Sequence, residues 1–87
     1  MALEELRNKI DNINSQIIQL LAERAEVSKK IADEKKKIGK DIYDPDREEE
    51  LLKKVKAIAE EKGVSKELVE QIFRMIVDNS KKIQNTI

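Results

Sequence analysis

This chain predicts an all-α fold of three helices, and two observations carry the prediction. Apolar residues recur at three- and four-residue spacing along almost the whole length, and no alternating apolar and polar stretch is sustained anywhere. Only Gly39, Gly63 and Pro45 interrupt the pattern, since the 87 residues include two glycines and one proline. The expected architecture is one long helix and two shorter ones, in a single domain covering residues 1–87.

The first helix is expected from Leu3 to Ile38, stopping near Gly39. Its seam reads Leu3, Leu6, Ile10, Ile13, Ile17, Leu20, Arg24, Val27, Ile31. At about 1.5 Å per residue such a helix is roughly 54 Å long. A compact chain of this size has a radius of gyration of about 12 Å, hence a diameter of roughly 30 Å, so the helix overhangs its own globule. The exposed seam needs a second chain, and a helical homodimer is the economical expectation. The two shorter helices together match the first in length, so they can fold back along it or along its copy.

The second helix opens at "YDPDREEELL". Asp44 is a good N-cap, Pro45 suits the first helical position, and Asp46, Glu48 and Glu49 complement the positive end of the helix dipole. It should stop at Gly63. Ser65 caps the third helix, which presents Val69, Ile72, Phe73, Ile76, Val77, Ile83 and Ile87 on one face and is expected to run to the end of the chain.

Composition narrows the chemistry. Cysteine and histidine are both absent, which removes disulfides, thiolate zinc sites, the commonest metal ligand and the usual general base. Lys plus Arg balance Asp plus Glu at 18 each, and the 41% charged fraction leans toward a heat-adapted protein with surface ion pairs. Neither a leader segment nor an apolar run of about 20 residues is read, so the expected compartment is the cytoplasm. No second domain or regulatory module is read either.

Each helix carries a polar intrusion on its apolar face. Arg24 stands in the seam of the first, and Lys35, eleven residues on and roughly 16 Å away, projects from nearly the same face with Ser28 between them. On the second, the stripe of Leu51, Leu52, Val55, Ile58 and Ala59 extrapolates back to Arg47 and Glu48, so both should face inward. On the third, Ser80 occupies a core position and Gln84 lies beside the stripe.

Taken singly, each has a plain structural reading. Arg24 can be a register-setting ion pair or a snorkelling side chain; Lys35 heads the run Lys35, Lys36, Lys37 and can belong to a solvated helix end. Ser80 and Gln84 can be hydrogen-bonded core residues, and Arg47 and Glu48 can pair within a capped first turn. Jointly they are harder to dismiss, because each buried ion costs several kcal/mol unless something satisfies it. A polar pocket inside the bundle explains all of them, and the excess of positive charge among Arg24, Lys35, Arg47 and Glu48 suits a small anion bearing carboxylate or phosphate.

Other chemistries fall away. "DPDREEE" lacks the glycine and loop of an EF-hand, and no glycine-rich phosphate loop or nucleophile–base pair is present. Nucleic-acid binding calls for a basic surplus and stacking aromatics, whereas net charge is zero and the aromatics are Tyr43 and Phe73.

At these residues the sequence resembles the all-helical class of chorismate mutase over essentially its whole length. The ordered set is "LRNKID" at Leu6 to Asp11, "LLAERAEV" at Leu20 to Val27, Lys35, "DPDRE" at Asp44 to Glu48 and "DNSKKIQ" at Asp78 to Gln84. The resemblance implies an intertwined homodimer with two active sites shared between subunits. It also implies that chorismate rearranges to prephenate within aromatic amino acid biosynthesis, with no metal, cofactor, nucleophile or proton transfer. Arg24 and the partner's Arg7 would bind the substrate carboxylates, supported by Arg47, with Ser80 close by. Lys35 and Gln84 would hydrogen-bond the ether oxygen of the breaking bond. Glu48 and backbone groups around Asp44 would hold the ring hydroxyl. Arg7 lies seventeen residues from Arg24, about 25 Å along one helix, so the two cannot reach one ligand within a single chain. Two alternatives stay open: an isochorismate pyruvate lyase-like enzyme on the same fold, and a non-catalytic helical dimer serving as a protein-interaction module.

Overall fold

A computed structural model of the chain describes residues 2–41 and 44–86. Tyr43, in the segment that opens the second helix, and Ile87, the last residue of the third helix's apolar face, lie outside them. The described residues form three helices and no strand: α1 (Ala2–Ile38), α2 (Pro45–Lys62) and α3 (Lys66–Asn85). Glu4 and Glu5 in the first turn of α1 and Lys35, Lys36 and Lys37 in its last suit the dipole.

The helix boundaries follow local chemistry. Asp44 caps α2, its side chain accepting the Arg47 N–H at 3.1 Å, and Ser65 caps α3 by accepting the Leu68 N–H at 3.2 Å. Gly39 and Gly63 end α1 and α2 with φ of 72° and 71°, a region costly for any residue with a Cβ. After Gly63 the chain folds back so that Val64 N–H reaches Ala59 O at 2.8 Å. Among the described residues α3 ends at Asn85, with Thr86 as its cap. The Thr86 hydroxyl donates to the Ile83 carbonyl at 2.8 Å and its N–H to the same oxygen at 3.3 Å, so one side chain and one backbone donor tighten the last turn.

Packing centres on α3, which contacts both other helices, whereas no Cα of α1 lies within 8 Å of α2 among the described residues. Lys56 of α2 and Glu70 of α3 meet at 2.6 Å and tie those two helices together. Glu70 is held below the usual carboxylate range, first by that hydrogen bond and then by the charge of Lys56.

The single chain is far from globular. Its radius of gyration is 16.1 Å against about 12 Å for a compact chain of this length, and its long dimension of 56 Å is the length of α1. It exposes 7169 Å², whereas about 5,300 Å² is ordinary for this mass. The excess is apolar. Leu6, Ile10, Ile13 and Ile17 are each at least half exposed, and among the described residues the only buried apolar side chains are the small Ala32 and Ala59. The N-terminal half of α1 thus projects with its seam bare. No helix among the described residues is long and apolar enough to cross a membrane.

Candidate active site

Where the three helices converge they enclose a cavity of about 370 Å³, in the size range of small-molecule sites. From α1 come Arg24, Ser28 and Lys35, whose four- and seven-residue spacing puts them on one face. The first turn of α2 contributes Asp44, Arg47 and Glu48, held in place by the Asp44 cap. From α3 come Ser80, Lys81 and Gln84. Seven of the eight residues singled out in the sequence therefore share one wall-to-wall space. The eighth, Arg7, does not: it pairs with Glu4 at 3.3 Å on the exposed projecting end of α1.

Arg24 is half-buried, and its Nη1 donates to Ser80 Oγ, to which Ser28 Oγ also donates at 3.3 Å. Ser28 is only 3% exposed, so this small chain of hydroxyls fixes the guanidinium from behind. Burial, and secondarily the charge of Arg47, lower the pKa of Arg24 from its ordinary value, and an arginine so placed still carries its charge. The cation therefore looks into the cavity with few alternatives to an anionic ligand.

Lys35 is half-buried while Lys36 and Lys37 are exposed, so the structure separates one lysine of the run from its neighbours. Gln84 is buried, and its Oε1 meets no hydrogen-bond donor. Gln84 also lines the cavity, so its amide stands at the wall with one of its hydrogen-bonding atoms unmatched. Glu48 is half-buried as its position predicts, but Arg47 is exposed and forms the rim instead of facing fully inward.

The sequence reading missed Lys81. Its Nζ lies 2.8 Å from Glu48 Oε1, a pair that joins α3 to the first turn of α2. The hydrogen bond to Glu48 is the main cause raising the pKa of Lys81. A signal was present: Lys81 is four residues after Val77 and three before Gln84, hence on the same stripe. With it, the walls carry four cationic side chains against the carboxylates of Asp44 and Glu48, a surplus that matches a dianion.

A second, apolar trough of about 420 Å³ runs between α1 and α3, bounded by Ile17, Leu21, Ile72, Met75, Ile76 and Ile83. Arg24 and Ser80 line both spaces and form the partition between them.

Comparison with known proteins agrees with this geometry. The profile of the family described as chorismate mutase type II matches residues 6–85. A chorismate mutase of Methanocaldococcus jannaschii is 33% identical over 82 residues, covering 94% of this chain and 83% of the relative. The T-protein of Haemophilus influenzae is 35% identical over 91% of this chain, and a bifunctional chorismate mutase/prephenate dehydratase of Aquifex aeolicus is 38% identical over 86% of it. The chain spans only 21% and 22% of those two longer relatives. On the family profile and on the extent of the M. jannaschii match, the chain belongs to the chorismate mutase type II family.

Proposed function

We propose that this chain is an isomerase that rearranges chorismate to prephenate, a step of aromatic amino acid biosynthesis, in the cytoplasm. The observation that carries the reading is the convergence of Arg24, Lys35 and Gln84 on one cation-rich cavity. Such a site suits a substrate with two carboxylates and an ether oxygen that gains negative charge as its bond breaks.

The reaction is an intramolecular [3,3] shift through a chair-like arrangement, so the protein has no group to transfer and no proton to move. What remains is to fold the enolpyruvyl arm over the ring and to stabilise developing charge. Arg24, steadied by Ser80, takes one carboxylate, and Arg47 at the rim supports the same anionic region. Lys35 and the amide of Gln84 donate to the ether oxygen. Both are half-buried or buried, where a fixed donor acts more strongly than water does. Glu48 and the backbone near Asp44 receive the ring hydroxyl.

The proposal includes a second copy of the chain, supported by the bare seam and the excess surface. Roughly 1,900 Å² beyond the ordinary value per chain is the scale that an obligate dimer buries on each subunit. The seam from Leu3 to Ile31 is centred on Ile17. An antiparallel copy crossing there sets the partner's Arg7 level with Val27, about one helical turn from Arg24. The second arginine that a dicarboxylate calls for is thereby supplied across the dimer.

The deciding experiment follows the loss of chorismate's ultraviolet absorbance on adding the protein and identifies the product by proton NMR. Prephenate is expected. No consumption by folded, dimeric protein would overturn the proposal and favour an interaction module, while consumption of isochorismate in its place would favour a lyase.

A further inference from the structure

We infer that Lys81 is a positioning residue that acts through Glu48, holding that carboxylate on the cavity side of α2 so that it meets the substrate's hydroxyl. The inference rests on the mutase reading and adds to it a residue which that reading does not use.

Glu48 borders two spaces. One is the large cavity; the other is a cleft of about 90 Å³ formed with Leu52, Arg74, Val77 and Asp78. The cleft offers Glu48 a second cation, Arg74, which lies 3.7 Å from Glu70. Lys81 lines the cavity and not the cleft, and its ammonium sits 2.8 Å from Glu48 Oε1 with both side chains 30% exposed. The pair therefore selects one of two directions for the carboxylate. Asp78 lies 3.6 Å from the same ammonium but is 71% exposed, so water weakens its claim.

The consequence is preorganisation. A glutamate in the first turn of a helix has several rotamers, and freezing them on binding costs affinity. A carboxylate accepts at both oxygens, so anchoring Oε1 to Lys81 leaves Oε2 able to accept a hydrogen bond from the hydroxyl. The hydroxyl does not react, so its bond is made equally in the ground and transition states, and the effect belongs in KM.

The test measures chorismate kinetics for Lys81→Met, Glu48→Gln and the double variant, with Lys81→Arg for rescue and circular dichroism to establish folding. Lys81→Met should raise KM about tenfold with kcat within about twofold, and Lys81→Arg should recover most of the loss. In the Glu48→Gln background, Lys81→Met should add little, because the two residues act as a unit. An undiminished effect there would show that Lys81 works on its own and would overturn the inference, as would an unchanged KM in Lys81→Met. Absence of turnover by the wild-type chain overturns the mutase reading and this inference with it; turnover by wild type with an indifferent Lys81 overturns the inference alone.

Discussion

Arg24 shows how a single residue serves both packing and chemistry. It stands in the seam of α1 where a leucine or isoleucine would bury more apolar surface, and its guanidinium is aimed by Ser80, which in turn accepts from Ser28. Lys35 occupies the neighbouring wall, and if it donates where negative charge grows, Lys35→Ala should cost on the order of 3 kcal/mol of transition-state stabilisation. Steady-state kinetics should place most of that loss in kcat; an unchanged kcat in a folded variant would remove Lys35 from the mechanism. Gln84 donates without ionising, so Gln84→Glu should work only while the new acid is protonated. Its activity should therefore rise as pH falls, and a profile as flat as that of the wild type would contradict the role. At this scale the sequence was readable wherever a polar residue broke an apolar stripe, as at Arg24, Ser80 and Gln84. Lys81 escaped notice because, beside Lys82, it looks like solvated surface until its distance to Glu48 is known.

At the scale of elements, the caps were legible because they depend on neighbours in sequence. Gly63 holds φ of +71° with open space around its missing Cβ, so the cost of a side chain there is conformational and not steric crowding from other helices. Gly63→Ala should destabilise the fold by about 1 kcal/mol, seen as a drop of roughly 2–8 °C in Tm, with kinetics at low temperature little changed. The long α1 makes a different prediction. Arg7 and Arg24 lie on one helix, too far apart to share a ligand within a chain; on the proposed antiparallel dimer, Arg7→Ala and Arg24→Ala proteins, each nearly inactive, should regain activity when unfolded and refolded together. Mixed dimers then contain one cavity with both arginines. No recovery in a sample shown by mass spectrometry to hold heterodimers would refute a shared site.

The whole molecule is an incomplete globule when taken as one chain. Its apolar seam, its trough between α1 and α3 and its 7169 Å² of surface are what the proposed second copy would cover. If that copy is needed for folding, the unfolding midpoint must depend on concentration: about a hundredfold dilution weakens the dimer by roughly 2.7 kcal/mol and should lower Tm by roughly 7 °C. Melts that superimpose across that range would rule out coupled folding and dimerisation. Sequence by itself determined the helices, their caps, the overhang of α1 and most of the polar residues that face inward, because helical period and capping act over three or four residues and leave their mark in local spacing. Only the tertiary structure decided that α3 is the helix both others pack against, that Arg47 stays at the rim while Glu48 turns in, and that Lys81 completes the cavity wall. These depend on how far apart the helices stand and how each is rotated about its axis. Both are set by the sum of contacts between segments distant in the chain, a quantity that no local pattern records.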